Sequence, residues 1–154
     1  YVYCYQYKIS FLRLADSICL AMPIGLGLVR IGNFMNGELF GRPTDGTWGF
    51  IFPTDPYGFT RHPSQLYEAF FEGVFLFILL MFVNAKNNKH GVISGTFLLG
   101  YGAIRFFVEY FRQPDSHMGF VALQLSMGQL LSIPMAIIGL LLLMKSLKKN
   151  EAIS

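Results

Sequence analysis

Three polar residues recur at four-residue spacing inside an apolar segment: Tyr101, Arg105 and Glu109. Residues four apart lie on one face of an α-helix, so these side chains project together. A charge at membrane depth costs about 2.5 to 3.5 kcal/mol on insertion scales, and such residues usually face a bundle interior or a wet cavity. We predict a site on this face. The alternative is that Arg105 and Glu109 only neutralise each other within one helix.

A second polar group ends an earlier apolar segment, in the stretch GLVRIGNFMNGELFGRP. Arg30, Asn33 and either Asn36 or Gly37 share a face at helical spacing, and the glycines of this stretch permit close approach of backbone to a ligand. Arginine suits bidentate contact with phosphate, so two arginines on neighbouring helices could clamp one phosphodiester. The alternative is that Arg30 extends from a helix end to the membrane interface.

Further polar residues stand at the edges of other apolar segments. His62, in RHPSQLYE, could act as a base near neutral pH, or could cap a helix entry beside Pro63. For Glu68 and Glu72, one turn apart, we predict interhelical hydrogen bonding.

In the last apolar segment, Ser126 and Gln129 add polar groups near its beginning. No zinc-type, P-loop or dinucleotide motif accompanies any of these groups, so we predict no metal ion, no nucleotide cofactor and no nucleic-acid partner.

Four apolar segments must position these residues. The chain is 53% hydrophobic and 16% aromatic but only 14% charged, well below the roughly 25% of a soluble domain. A membrane-spanning helix needs about 20 apolar residues. We predict a single all-α polytopic membrane domain over the whole chain, with spans near 14–34, 66–84, 91–111 and 123–145.

The lysines indicate the orientation of these spans, because short cytoplasmic loops accumulate Lys and Arg. One side of the predicted bundle receives Lys8, Arg13, Lys86, Lys89, Lys145, Lys148 and Lys149. We predict that this side is cytoplasmic. The other side receives 40–65 and 112–122, which contain no lysine and mix Arg112 with Asp115.

Segment 40–65 is rich in Gly, Pro, Asp and Thr, which predicts turns and short strand pairs. Its length is typical of a binding loop or lid, and Trp48 could rest it on the outer leaflet. The alternative is a disordered external loop.

Four motifs together resemble the prolipoprotein diacylglyceryl transferases. They are RIGNFMNGELFGRPTDGTWG, RHPSQLYEAFFEG, YGAIRFFVEYFRQPD and MGQLLSIPM, in order and in register over 14–137. The family is a seven-span enzyme of the bacterial inner membrane. The resemblance therefore implies that these residues hold roughly its last four spans, with the active face toward the periplasm.

The resemblance implies a reaction without a cofactor. The thiol of the lipobox cysteine in a prolipoprotein signal peptide attacks the glyceryl C3 of phosphatidylglycerol, and glycerol 1-phosphate leaves. We expect Arg30 and Arg105 to grip the phosphate, with Glu109 orienting Arg105. The expected catalytic residues are Arg30, Arg105 and Tyr101, and the expected substrate-binding residues are Asn33, Glu38, Gly41, Glu109, Arg112 and His62.

The sequence departs from the family pattern at Val29, where Gly is usual, and at Phe40, where Trp is frequent. The family's His-Gly-Gly motif, which precedes the first span seen here, does not occur in this sequence.

A transporter or channel subunit is the alternative class, since intramembrane Arg and Glu can mark an ion path, and a purely structural membrane subunit is a third. Specific consumption of phosphatidylglycerol distinguishes the transferase from both.

Overall fold

The protein is a bundle of long helices. The computed structural model describes residues 2–46, 48–113, 120–122 and 125–148, so the predictions for Asp115, Lys149 and residues 123–124 lie outside the described residues. The helices are α1 (Val2–Gln6), α2 (Phe11–Met35), α3 (Ser64–Glu68), a π-helical segment (Ala69–Phe75), α4 (Leu76–Lys86), α5 (Val92–Val108) and α6 (Met127–Lys148).

Among the described residues, three helical units are long and apolar enough to cross a membrane: α2, the continuous unit Ser64–Lys86 and α6. Helix α5 is shorter, with 17 residues. The predicted all-α polytopic membrane fold is confirmed. Helix α5 ends at Val108, so Glu109 caps this helix instead of lying within it.

Small residues bring α5 and α6 into direct contact. A Cβ added at Gly102 would lie 2.9 Å from the backbone oxygen of Ser132, and one added at Gly95 would lie 3.1 Å from that of Gly139. Helices in a membrane associate through such close approach, because lipid supplies no hydrophobic drive between them. The apolar core lies at the α4–α5 contact, where Leu76 and Leu80 have no solvent exposure.

A carboxylate from α2 caps the first turn of α5. Asp16 accepts hydrogen bonds from the backbone N–H of Gly91 at 2.6 Å, the N–H of Ser94 at 2.8 Å and the Ser94 hydroxyl at 2.6 Å. The first N–H groups of a helix have no partner within the helix, and its dipole favours a negative charge there. Asp16 therefore joins α2 to α5 at one end of the bundle.

The described residues of segment 40–65, which leave out residue 47, contain a two-stranded antiparallel sheet, β1 (Phe50–Ile51) with β2 (Thr60–Arg61), in which Phe50 pairs with Arg61. The predicted turns with a short strand pair are therefore present, and the alternative of a disordered loop is wrong. Inside the segment, Arg61 Nε lies 2.7 Å from Asp55 Oδ2, and both side chains are buried. A second hairpin, β3 (Phe120–Ala122) with β4 (Leu125–Ser126), leads into α6.

The bundle has two chemically different ends. The cluster end holds the C-terminus of α2, the N-terminus of α3, the C-terminus of α5 and the N-terminus of α6. The basic end holds the N-termini of α2 and α5 with the C-termini of α4 and α6.

Candidate functional site

Arg30 is paired inside the bundle. It lies in the last turns of α2, and its Nε lies 2.6 Å from Glu68 Oε2 and 3.8 Å from Glu72 Oε2. The Glu68 side chain is 2% exposed and that of Glu72 is fully buried. The contact with Glu68 is a close ion pair. Arg30 is therefore held inward, and the alternative in which it extends to the interface is not observed.

Arg105 reaches the same carboxylates from α5. Its Nη1 lies 3.1 Å from Glu68 Oε1 and 3.5 Å from Glu72 Oε1, while its Nη2 lies 2.9 Å from Glu109 Oε2. The predicted pair within one helix is present, but it is one part of a larger network. Glu68 bridges the two arginines. We call Arg30, Glu68, Glu72, Arg105 and Glu109 the arginine–carboxylate cluster.

Backbone contact between two helices makes this network possible. A Cβ added at Gly73 would lie 2.8 Å from Gly27 Cα, so α2 and the π-helical segment touch where neither has a side chain. Arg30 is one turn beyond Gly27, and Glu72 adjoins Gly73. The glycine pair therefore sets the short distance between Arg30 and the two glutamates. π-Helical segments are rare and are frequent at functional sites.

Glu109 is held by the start of α6. The Ser126 hydroxyl donates to Glu109 Oε1 at 3.0 Å. Ser126 and Gln129 also form a reciprocal capping box: Gln129 N–H donates to Ser126 Oγ at 3.2 Å, and Ser126 N–H donates to Gln129 Oε1 at 3.1 Å. A Cβ at Gly128 would lie 2.8 Å from the Glu109 carboxyl carbon, so a larger residue there would displace the Glu109 carboxylate.

The cluster contains three carboxylates and two guanidinium groups, so with every group ionised its formal charge is −1. Among the described residues neither oxygen of Glu72 has a hydrogen-bond donor. A buried excess charge is costly unless it is compensated. The cluster therefore favours an added proton or a ligand that donates hydrogen bonds.

Tyr101 lies beside this cluster, one turn before Arg105 on α5. Its ring stacks on that of Phe97 with centroids 5.8 Å apart. Tyr101 is close enough to Glu72 and Arg105 for an electrostatic interaction. The face predicted for Tyr101, Arg105 and Glu109 is therefore turned toward the carboxylates of Glu68 and Glu72.

His62, Gly41 and Arg112 form a separate frame, which joins segment 40–65 to the end of α5. Gly41 N–H donates to the His62 backbone oxygen at 2.9 Å, and Gly41 and Arg112 pair as an isolated antiparallel bridge. A Cβ at Gly41 would lie 2.7 Å from the His62 oxygen, which excludes a side chain. His62 Nδ1 lies 3.3 Å from the Tyr67 hydroxyl, and the His62 ring packs edge-on against Phe111.

Asn33 and Glu38 connect α2 to this frame. Asn33 is half-buried, and its carbonyl accepts the Glu38 N–H at 3.0 Å. The Glu38 carboxylate is exposed and meets the Asn36 amide at 3.3 Å, whereas the Glu38 backbone oxygen accepts from Gln65 Nε2 at 2.7 Å. Among the described residues, the ion pairs of the cluster's arginines are with Glu68, Glu72 and Glu109 and do not include Glu38. Glu38 therefore contacts the α3 end of the site through its backbone oxygen, which accepts from Gln65.

Glu68 and Glu72 have a larger role than the interhelical hydrogen bonding that the sequence predicts. Both carboxylates form ion pairs with both arginines. Two glutamates one turn apart inside an apolar span were the signal. In the parts of the chain described above, no group of three His, Cys, Asp or Glu side chains is arranged to hold a metal ion.

The fold and the cluster define a polytopic membrane protein with a buried ionic site at one end of its helical bundle. The family model described as prolipoprotein diacylglyceryl transferase matches residues 1–145, and the chain belongs to this family.

Curated relatives agree with this assignment. The chain is 51% identical over 148 residues to the phosphatidylglycerol–prolipoprotein diacylglyceryl transferase of Aliivibrio fischeri (strain ATCC 700601 / ES114), covering 96% of this chain and 53% of that protein. Against the protein of the same description from Geobacter sulfurreducens, identity is 55% over 135 residues, covering 88% of this chain and 52% of that protein. Against the protein of the same description from Rickettsia felis, identity is 49% over 149 residues, covering 95% of this chain and 57% of that protein. The chain spans about half the length of these relatives.

Proposed function

We propose that this chain provides the phosphate-binding part of an enzyme that transfers diacylglyceryl from phosphatidylglycerol to the lipobox cysteine of prolipoproteins. The single observation that carries the proposal is the convergence of Arg30 and Arg105, from different helices, on the carboxylate of Glu68. Two guanidinium groups held at one point inside an apolar bundle are suited to a phosphodiester.

The reaction forms one bond and breaks one. The cysteine sulfur bonds to glyceryl C3, and the bond from C3 to the phosphate oxygen breaks. Glycerol 1-phosphate leaves with the bonding electrons, and the proton lost by the thiol ends on this departing phosphate. Negative charge grows on the leaving phosphate. Arg30 and Arg105 stabilise that charge most effectively because the bundle excludes water and keeps them in place before reaction.

Family membership and the geometry support separate roles for the surrounding residues. We assign catalytic roles to Arg30, Arg105 and Tyr101. Glu109 orients Arg105, with which it makes a 2.9 Å contact. We assign substrate binding to the residues that line or frame the cluster end: Asn33, Glu38, Gly41, Glu109, Arg112 and His62.

An apolar groove beside the cluster suits the acyl chains of the lipid. The groove has a volume of about 550 Å³ and runs between the Ser64–Lys86 unit and α5. Tyr67 and Val108, which line it, are the chain neighbours of Glu68 and Glu109. A diacylglyceryl group in this groove would place its phosphate at the arginines.

The charge of the cluster has a consequence for binding. The cluster has three carboxylates and two guanidinium groups, so a bound anionic phosphodiester would change the formal charge of the site from −1 to −2. We infer that headgroup binding is accompanied by proton uptake on the cluster, and Glu72, whose ion pairs are the longest, is the site for that proton. Protonation of Glu72 removes one negative charge that the bound phosphate would otherwise face, while Glu68 and Glu109 keep their contacts with the arginines.

We place the protein in the bacterial inner membrane with the cluster end toward the periplasm. The lysines support this orientation: within the described residues Lys8, Lys86, Lys89, Lys145 and Lys148 all lie at the basic end. The prolipoprotein signal peptide would then present its cysteine at the periplasmic edge, beside segment 40–65.

The test is transfer of labelled diacylglyceryl from phosphatidylglycerol to a lipobox peptide by the full-length protein that carries this chain. Arg105→Ala and Arg30→Ala are each expected to reduce transfer by at least about 10²-fold, the loss seen on removing one oxyanion donor. Lys86→Ala, which removes a cation at the basic end, serves as the control and should keep its activity. Full transfer by both arginine variants would contradict the proposal.

A further inference from the structure

The basic end of the bundle contains a polar cavity of about 510 Å³ between the start of α2 and the α4–α5 connection. Hydrogen-bond donors dominate its lining: Arg13, Asn84, Asn87, Asn88, Lys89 and His90. Guanidinium and ammonium groups are purely donors, and the amides supply N–H groups beside them. Such a lining is complementary to an anion.

The acidic residue in the lining does not neutralise this cavity. Asp16 already accepts three hydrogen bonds from the first turn of α5, through Gly91 and Ser94. Of the acidic residues in the described part of the chain, the others belong to the cluster end or to segment 40–65. Asp16 therefore has a structural role, and with Arg13 and Lys89 against this one carboxylate the cavity lining has a formal charge of +1.

The cations are available to a ligand. Within residues 2–46, 48–113, 120–122 and 125–148, neither Arg13 nor Lys89 forms an ion pair. Lys89 Nζ donates one hydrogen bond, to the Leu147 backbone oxygen at 3.3 Å, and so keeps two donors. Lys86 is at the same end but packs over the Phe82 ring, 4.1 Å from its centroid, and does not line the cavity.

A neighbouring cavity extends the same surface toward α6. Its volume is about 530 Å³, and it shares Asn88, Lys89 and His90 with the first while adding Lys145. The two cavities lie where the apolar helices begin or end, at Phe11, Lys86, Val92 and Lys148. This is the depth of lipid headgroups, where basic pockets between membrane helices bind anionic lipids.

We propose that the Arg13–Lys89 cavity binds the phosphate of an anionic phospholipid from the leaflet opposite the arginine–carboxylate cluster. Arg13 and Lys89 contact the phosphate, and the amides of Asn84 and Asn87 bind its oxygens or the polar part of the headgroup. This lipid is a bound component, separated from the cluster by the length of the bundle, and its binding does not depend on the proposed transfer reaction.

The test measures lipid retention by native mass spectrometry of the full-length protein in detergent, titrated with phosphatidylserine or phosphatidylcholine. Phosphatidylserine is anionic and carries no glycerol headgroup, so the outcome is independent of diacylglyceryl transfer. We expect phosphatidylserine to be retained about tenfold more tightly than phosphatidylcholine, and Arg13→Ala with Lys89→Ala to remove that preference. The control variant, Lys86→Ala with Lys148→Ala, loses two positive charges at the same end. We expect this control to keep the preference for phosphatidylserine.

Two further arms make the result decisive. Arg13→Ala with Asn84→Ala changes two exposed side chains without touching Lys89, and is expected to weaken retention even if the Lys89 substitution disturbs α6. An equal loss in both lysine-containing double variants would mean diffuse attraction and overturn the site. Excess inorganic phosphate is expected to leave the lipid bound. Displacement of the lipid by phosphate would overturn the assignment to a lipid headgroup.

Discussion

Gly27 and Gly73 touch through their backbones, with a Cβ added at Gly73 only 2.8 Å from Gly27 Cα. This contact has a chemical consequence one turn away, because it sets how far Arg30 must reach to meet Glu68. The two helices approach where they have no side chains, and the charged residues then meet at 2.6 Å. Close packing in an apolar region thus positions an ionic site.

Substitution Gly73→Ala is therefore expected to separate α2 from the π-helical segment. Forcing extra atoms into a packed contact typically costs about 1–3 kcal/mol of folding free energy. The ion-pair distance from Arg30 Nε to Glu68 Oε2 should also increase. Thermal unfolding in detergent and the transfer assay both report the change. Gly25→Ala is the control, since no atom lies within 4 Å of its added Cβ. Equal losses of stability and of transfer activity in the two variants would show that the Gly27–Gly73 contact does not position the cluster.

The two buried glutamates are expected to respond in opposite ways to neutralisation. Glu68→Gln breaks a carboxylate that serves both arginines, and breaking a buried ion pair costs about 3–5 kcal/mol. Glu72→Gln removes the excess negative charge and loses only contacts of 3.5 Å and 3.8 Å. We expect Glu68→Gln to unfold at lower temperature and Glu72→Gln to unfold at the same or a higher temperature.

The Glu72 substitution also tests the inferred proton. If Glu72 takes up a proton when the headgroup binds, Glu72→Gln should bind phosphatidylglycerol at least as tightly as the parent protein and with a weaker dependence on pH. Binding that is weaker in this variant, at all pH values, would refute the inference. Lipid titration across neutral pH gives the answer.

Ser126 is expected to act on the site through Glu109. Ser126→Ala removes an N-cap, worth about 1 kcal/mol, and a hydrogen bond to a carboxylate, worth about 1.5–3 kcal/mol. Transfer should fall mainly through kcat, because Arg105 loses its alignment, and Ser126→Thr should restore it. Ser132→Ala is a matched control, because the Ser132 hydroxyl donates to the Gly128 backbone oxygen at 2.6 Å instead of to a carboxylate of the cluster. The Ser126 role is refuted if both serine variants behave alike.

Segment 40–65 is expected to loosen in acid. The hydrogen bond from Arg61, helped by the backbone N–H groups of Tyr57 and Phe59, holds the pKa of Asp55 below its ordinary value. A carboxyl whose pKa is lower in the folded state stabilises that state fully above its unfolded pKa, about 3.9, and the stabilisation is lost as the pH falls through the folded pKa. The segment should therefore be stable at neutral pH and loosen only below about pH 4.

Trp48 is the single tryptophan of this 154-residue chain and lies in this segment, so its fluorescence reports the change in a protein whose tryptophans outside this chain are replaced by Phe. We expect constant emission from neutral pH down to about pH 4 and a shift below that. In Asp55→Asn the emission should already be shifted at pH 7 and should not respond to acid through this pair. A parent protein with a transition at neutral pH would contradict the assignment to Asp55.

Much of the architecture was predictable from local properties of the sequence. Apolar length predicted the membrane helices, although α5 is shorter than its predicted span and α6 begins at Met127. Four-residue spacing placed Tyr101, Arg105 and Glu109 on one face. These properties depend on helix geometry and on the cost of burying charge, and both act over a few residues.

Only the tertiary structure decided which charges meet. Glu68 lies between Arg30 and Arg105, and Asp16 caps a helix far along the chain. The exposed Glu38 carboxylate instead accepts from the Asn36 amide. The sequence alone determined the membrane helices, their charged faces and the family motifs. The ionic site was decided by helix packing, because periodicity assigns a residue to a face but contact between faces depends on where backbones touch.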